Sequence, residues 1–318
     1  GAIVLGAATV SGTYSVTAGG VVSDSGDLDI EGATTILASG SNVVLDRATH
    51  DFTGAVGVTG AAVELVDANG IDLGASTVSG TYAVTATAGD ISNSGNLVIT
   101  GAATFITTAA DSNIILGQSG NAFTSTVTMQ AGDGSADFGN ITFVDSAAVR
   151  LHTSAQSAGD LYINATTDGA VDGNLSVTAN GDITQTVALA VTGTTTLVAS
   201  GNDITLDTST NNFATVVITS GRNVALRDAG AIILGASTVS GTYSVTAGGA
   251  ITDSGTQEIT GVTTLVAGGY DITLDTSTNN FAAAVVITSG RNVAITDEDA
   301  IDLGASTVSG TYAVTATA

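Results

Sequence analysis

The sequence predicts an all-β fold, a right-handed parallel β-helix (β-solenoid) with about 14 coils of about 23 residues each. Three observations lead to this prediction. One phrase recurs along the chain of 318 residues. Short runs of Val, Ile, Thr and Leu end at Gly, Asn, Asp or Ser, as strands end at turns. No stretch carries the apolar spacing of an amphipathic helix.

The recurrent phrase has four copies, and its tyrosine marks the period of the repeat. Residues 73–86 and 303–316 are identical in sequence. The tyrosines stand at Tyr14, Tyr82, Tyr243 and Tyr312. The interval between the first two and the interval between the last two are nearly equal. Each divides into three sub-repeats of about 23 residues, the size of one solenoid coil. We therefore expect three coils in each regular repeat.

A single continuous solenoid is expected over residues 1–318, with an irregular stretch at 124–174 that holds one extra coil. The absence of proline fits strands that are paired on both sides. Both ends of the sequence fall inside copies of the phrase, so we expect the chain to be a window of a longer repeat protein. Apolar residues should stack on their own copies in the core, in ladders that include Val16, Ile30, Val44, Val58 and Val78.

Charge limits the possible partners. The chain has 29 acidic residues and five basic ones, a formal charge of −24. Like charges repel, so nucleic acid and anionic membranes are poor partners. The longest apolar run, near Phe281 to Ile287, has about seven residues, too few for a transmembrane segment. The absence of cysteine excludes a disulfide framework and fits export without oxidative folding.

The two histidines are the first candidates for catalysis. His50 precedes Asp51, a pair that resembles a general base with an orienting carboxylate. Adjacent residues of a strand point to opposite faces, however, and the copy of this segment at Asp207 to Phe213 has no histidine. We therefore interpret His50 as a solvated turn residue. His152 lies in the extra coil, and we expect it to be an exposed histidine without a catalytic role.

Carboxylate pairs are the second candidates, because polysaccharide-cleaving enzymes use the parallel β-helix and an acid and base pair. The cluster Asp297, Glu298 and Asp299 and the pair Asp203 and Asp207 have this chemistry. The pair is copied in the next regular repeat, about 14 Å away along the solenoid, too far to join one site. We interpret these residues as solvated turn residues and expect no enzyme. A carbohydrate-active β-helix enzyme is the alternative.

A calcium site is the only cofactor site that the sequence suggests. Asp133 and Asp137 lie in the Gly-rich segment GDGSADFGN, which resembles half of a calcium loop. The bidentate glutamate of such loops is missing, so an ordinary turn is the competing interpretation. Threonine-rich stretches such as residues 192–198 return only once in three coils, which does not favour an ice-binding ladder.

Several longer phrases carry a family resemblance. VTAGGAITDSG at 245–255, LVASGNDITLDTSTNNF at 197–213 and VVITSGRNVAL at 216–226 resemble the repeat regions of bacterial filamentous-haemagglutinin-type exoproteins. These are large secreted adhesins, often exported by a two-partner system. The resemblance implies an extracellular or cell-surface fibre and does not specify its target. The similarity of the repeats favours a stalk, a filament or a multivalent binder, with a cell-surface glycan or protein as the expected kind of target. Because both ends fall inside the repeated phrase, we expect a filament formed by self-association or by continuation of the chain. A phage-type fibre is a further alternative.

Overall fold

The computed structural model describes residues 1–133, 139–152, 160–163, 170–171 and 173–317. Every regular element in these ranges is a β-strand, and the paired strands run parallel. The predicted fold is confirmed: parallel strands stack as a β-solenoid of about 14 turns, an arrangement that fits a right-handed β-helix. The chain divides into two compact units, Gly1–Ala147 with Thr153–Asp172, and Ala148–His152 with Gly173–Ala318.

The first unit is built from short strands, with three strands in each regular turn. In chain order they are β1 (Ile3–Leu5), β2 (Ala8–Val10), β3 (Tyr14–Thr17), β4 (Val22–Asp24), β5 (Leu28–Ile30), β6 (Thr34–Leu37), β7 (Val43–Leu45), β8 (Asp51–Phe52), β9 (Val56–Gly60), β10 (Val63–Asp67), β11 (Ile71–Leu73), β12 (Ser76–Val78), β13 (Tyr82–Ala86), β14 (Ile91–Asn93), β15 (Leu97–Ile99), β16 (Ala103–Thr107), β17 (Ile114–Leu116), β18 (Ala122–Phe123), β19 (Val127–Gln130), β20 (Ile141–Asp145), β22 (Asp160–Ile163) and β23 (Ala170–Val171).

The second unit repeats this construction, and some of its strands merge around a corner into longer ones. They are β21 (Val149–His152), β24 (Leu175–Ala179), β25 (Ile183–Gln185), β26 (Ala190–Val198), β27 (Ile204–Leu206), β28 (Asn212–Gly221), β29 (Val224–Asp228), β30 (Ile232–Val239), β31 (Tyr243–Ala247), β32 (Ile251–Asp253), β33 (Gln257–Ile259), β34 (Thr263–Val266), β35 (Ile272–Leu274), β36 (Asn280–Phe281), β37 (Val285–Ser289), β38 (Val293–Asp297) and β39 (Tyr312–Ala316).

One regular turn is shorter than the coil length that the sequence predicts. Paired residues along β1, β4, β7, β10, β13 and β16 are 19, 21, 20, 19 and 21 positions apart. In the second unit the steps along β25, β27, β29, β31, β34 and β37 are 21, 20, 19, 20 and 22 positions. A longer step of 34 positions joins Val127 to Leu161, inside the stretch predicted to be irregular.

The shorter turn changes how the sequence repeat maps onto the solenoid. From Tyr14 in β3 to Tyr82 in β13 the chain passes ten strands, or three and one-third turns. The two tyrosines therefore lie in different sheets, since β3 pairs with β6 whereas β13 pairs with β10 and β16. The prediction of three coils per repeat was wrong, because it divided the period by a whole number.

The core follows the alternation of each strand. Val16, Ile30, Val58 and Val78 are buried as predicted. Val44 is the exception, because Val43 and Leu45 on either side of it point inward and leave its side chain on the outer surface. Aromatic rings also lie in the core, although aromatic residues make up only 4% of the chain. The largest fully buried side chains include Tyr82, Tyr243, Phe52, Phe105, Phe143, Phe213 and Phe281.

Sheets begin and end along the solenoid, and this creates tight corners. The sheet of β2, β5 and β8 stops at β8. Strand β9 pairs with both β11 and β12 of the following turn, so one face of the solenoid divides into two. Among the described residues no helix is long and apolar enough to cross a membrane.

Candidate functional site

Four tight turns place the same kind of buried polar side chain against the previous turn. We call this side chain the corner residue, and its exposed fraction is 0% in each case. Each corner residue accepts a hydrogen bond from a backbone N–H one turn earlier, at 2.8 to 3.0 Å. The corner residues and their donors are His50 with Leu28, Asn121 with Leu97, Asn211 with Leu189, and Asn279 with Gln257.

A buried aspartate one turn later completes each corner. The phenylalanine two positions after the corner residue donates its backbone N–H to this aspartate, which we call the capping aspartate. The pairs are Phe52 with Asp67 at 2.8 Å, Phe123 with Asp145 at 3.4 Å, Phe213 with Asp228 at 2.6 Å, and Phe281 with Asp297 at 2.9 Å. At β8, where the sheet stops, the carboxylate supplies the acceptor that a further strand would have supplied.

Three of the capping aspartates, Asp67, Asp145 and Asp228, have a raised pKa, and a perturbed pKa is a common sign of a functional site. Burial raises the pKa of Asp67 to about 6, and it also raises the pKa of Asp145 and Asp228. Both oxygens of Asp67 are nonetheless engaged, since the second accepts the N–H of Asn69 at 2.7 Å. The same contact recurs between Gly230 and Asp228. These carboxylates therefore hold the backbone of the corner.

His50 is not the solvated turn residue that the sequence suggested. Its Nδ1 accepts the Leu28 N–H at 3.0 Å, so the proton of the neutral ring lies on Nε2, 3.4 Å from Asp24 Oδ2. Burial lowers the pKa of His50, and the carboxylates of Asp24 and Asp27 oppose this shift. The copy of this segment has Asn211 in the place of His50, but the sequence gives no sign that this asparagine is buried.

The position of Asp24 is polar in all four corners. There the partner side chain contacts the corner residue across one turn: Asn93 with Asn121 at 2.9 Å, Gln185 with Asn211 at 2.7 Å, and Asp253 with Asn279 at 2.7 Å. Only the pair of Asp24 and His50 joins an acid to a base. The ring of His50 also packs against Phe52, with centroids 5.6 Å apart.

The carboxylate candidates do not form one converging set. Asp297 is a buried capping aspartate, contrary to the prediction of a solvated cluster, whereas Glu298 and Asp299 are exposed. Asp203 and Asp207 lie at opposite ends of β27, about 13 Å apart at about 3.3 Å per residue. The Arg222 guanidinium donates to both oxygens of Asp203, at 2.7 and 2.9 Å, and lowers the pKa of Asp203 to about 2.

The remaining candidates are placed only in part. Asp133 is exposed, and Asp137 lies outside the described residues. No group of three or more His, Cys, Asp or Glu within the described ranges could hold a metal ion. His152 belongs to strand β21, but its side chain is outside the described part of the chain. The calcium site therefore stays a prediction.

A second recurring feature lies on the surface, where the chain enters β29 and β38. Arg222 pairs with Asp203, and Arg291 pairs with Asp271 at 2.8 Å. The next residue, Asn223 or Asn292, donates to the same aspartate. We call these two sites the arginine corners. Arg291 also lowers the pKa of Asp271 well below its usual range.

The equivalent position in the first unit has a groove instead. There Asn42, Ala61 and Ala62 precede β7 and β10, where the arginine corner has Asp203, Arg222 and Asn223. The groove has a volume of about 190 Å³. Its lining consists of Asn42, Val43, Val44, Ala62, Val63, Glu64, Thr81 and Ala83.

A family model described as repeats of unknown function (DUF5649) matches residues 1–59, 60–130, 138–220, 221–288 and 290–318. The chain belongs to this family. Three of the DUF5649 blocks begin at Gly60, Gly221 and Gly290, immediately before Ala61 and the two arginines of the arginine corners. Searches of curated proteins and of solved structures found no match.

Proposed function

We propose that this chain is a structural and adhesive repeat protein of the bacterial cell surface, secreted as part of a rigid stalk or filament. Its binding is multivalent and non-catalytic. The observation that carries the proposal is the use of the carboxylates. The capping aspartates with raised pKa spend their oxygens on backbone N–H groups, and the exposed acids with lowered pKa are paired with arginine.

Repetition supports the same proposal. Corners with the same contacts occur in both units, at Asn121 in the first and at Asn211 and Asn279 in the second. A catalytic constellation needs one set of converging groups, whereas a scaffold gains from copying one stable corner many times. Multiple equal surfaces also raise avidity when several of them engage one target.

The proposal is tested by assaying the purified chain for both catalysis and adhesion. We expect no release of fragments from a panel of uronate and neutral polysaccharides. Beads coated densely with the chain should bind target cells more tightly than the free chain does. Polysaccharide cleavage that is lost on replacing the exposed acids Asp207 and Asp299 by asparagine would overturn the proposal. The buried Asp297 is left intact so that the fold is not altered.

Self-association is tested by its dependence on salt. The charge of −24 should hold chains apart at low ionic strength, where the Debye length is about 30 Å at 0.01 M. Light scattering should therefore rise when sodium chloride or a divalent cation is added. Scattering that stays constant over both titrations would contradict lateral association. Comparing calcium with magnesium at equal ionic strength separates screening from a specific calcium site.

A further inference from the structure

The groove in the first unit occupies the place of an arginine corner. Register aligns Val43, Val63 and Tyr82 in the first unit with Ile204, Val224 and Tyr243 in the second. Ala61 therefore corresponds to Arg222, Ala62 corresponds to Asn223, and Asn42 corresponds to Asp203. The first unit lacks the guanidinium, its carboxylate partner and the asparagine that bridges them.

A different carboxylate stands beside the opening. Glu64 is exposed and lines the groove, and its register partners are Val44 and Ala83. The corresponding residue in both arginine corners is alanine, at Ala225 and Ala294. Within the described residues no cation pairs with Glu64. The first unit thus lacks an arginine at this corner and carries an acid next to it.

We propose that this groove binds the side chain of an arginine from another polypeptide, with Glu64 as the carboxylate that pairs with its guanidinium. The partner supplies in trans the group that Arg222 and Arg291 supply from the chain itself. This inference goes beyond the proposed function, because it stands whether or not the chain is an adhesin.

The lining of the groove suits this side chain. The side chains of Val44, Ala62 and Ala83 provide an apolar floor for the methylene stem of an arginine. A guanidinium presents five N–H donors and no acceptor. Asn42 and Thr81 also line the groove. The Asn42 Oδ1 already accepts the Ala62 N–H at 3.3 Å, so its second lone pair and the Thr81 hydroxyl are the acceptors left for a guanidinium. The net charge of −24 attracts a basic partner.

The test uses the full chain, labelled with ²H and ¹⁵N, and titrated with N-acetyl-arginine methylamide in 150 mM sodium chloride. An exposed ion pair is weak, so we expect a dissociation constant on the order of millimolar. Saturating amide shifts should be confined to the neighbourhood of Asn42, Ala62, Glu64 and Thr81. Shifts that rise without saturation along the whole acidic surface would overturn the proposal.

Matched variants come from the chain's own copies. Glu64→Ala introduces the residue found at Ala225 and Ala294, and it should weaken binding about fivefold. The triple variant Asn42→Asp, Ala61→Arg and Ala62→Asn rebuilds the arginine corner, so saturating shifts should disappear. Glu258→Ala removes the same charge from an exposed position in the second unit, and binding should not change. Equal weakening by Glu258→Ala, or equal binding of N-acetyl-lysine methylamide, would refute the arginine assignment.

Discussion

Replacing His50 by asparagine should remove a pH dependence from the stability of the first unit. Asparagine is the corner residue in the other three copies, and its Oδ1 is bonded to Cγ, as Nδ1 is in histidine. The Leu28 N–H would therefore keep an acceptor, as Leu189 does at Asn211. The nitrogen of the new amide could donate to Asp24, as Asn279 donates to Asp253.

The sign of the effect follows from the direction of the shift. Burial lowers the pKa of His50 in the folded chain below the unfolded value of 6.5, so the unfolded chain binds more protons. This stability is present above pH 6.5 and is lost as the pH falls from 6.5 towards the folded pKa. Protonation of Nδ1 would also break the hydrogen bond from Leu28.

The magnitude is bounded by the linkage relation. One group changes the free energy of unfolding by at most about 1.4 kcal/mol per pH unit, or about 2 kcal/mol between pH 6.5 and 5.0. At pH 7.5 the variant should be less stable by about 1–2 kcal/mol. The His50 ring packs on Phe52, and its replacement by a smaller side chain leaves a cavity. The difference in the free energy of unfolding between the original chain and the His50→Asn variant should therefore narrow as the pH falls from 7.5 to 5.0.

The assay is urea unfolding followed by circular dichroism from pH 7.5 to 5.0, with hydrogen exchange at the Leu28 amide as a local report. The amide of Leu189 serves as the internal reference, since its acceptor Asn211 does not titrate. Asp67 is present in both proteins, so its titration near pH 6 cancels in the difference. A free-energy difference that is constant over this pH range would refute the reasoning.

Three further predictions concern other parts of the scaffold. Asn211→Ala leaves the buried Leu189 N–H without its acceptor and should cost about 1–3 kcal/mol in urea unfolding. Gly95→Ala would place a Cβ in steric overlap with the backbone nitrogen of Ala75 in the previous turn, whereas at Gly117 no atom lies within 4 Å of the added Cβ. The first change should destabilise by about 3 kcal/mol or prevent folding, and Gly117→Ala, its control, should not. Arg222→Ala removes an exposed ion pair, so it should shift the urea midpoint only slightly, and the shift should shrink in 0.5 M salt. A larger loss of stability that does not depend on salt would show that the Arg222 ion pair is more than a weak surface contact.

The class of fold was predictable because it depends on local chemistry. Short strands, turn residues and a repeated phrase specify a parallel solenoid whichever way the repeat is divided. The length of a turn was not predictable from the period. The spacing of Tyr14 and Tyr82 fits three long turns as well as three and one-third short ones, and only the register of Val63 with Tyr82 decides between them.

The buried corner residues show a second limit of prediction from the sequence. Asn211 and Asn279 have the composition of a surface turn, and no local signal distinguishes them from solvated asparagines. Their burial arises because a strand from another turn, at Leu189 or Gln257, passes within hydrogen-bonding distance. The alignment of His50 with these asparagines was visible in the sequence and could have indicated a shared structural position. The capping aspartates Asp67, Asp228 and Asp297 also share one position, six residues before the leucine of the repeated phrase, but nothing local shows that this aspartate is buried against the previous turn.

The ten-strand repeat determines how far the proposed multivalent adhesion can gain from repetition. Successive copies of one segment, such as those that contain Tyr14 and Tyr82, lie in different sheets of the same unit. In an uninterrupted solenoid, three repeats of ten strands make ten turns, so a feature returns to its first face after about 48 Å at about 4.8 Å per turn. A flat target would then meet one copy in three, which reduces the avidity gained from repetition. Neighbours arranged around the chain could engage every copy. The repeat therefore favours association among several chains over attachment to a single plane, provided that salt screens their charge.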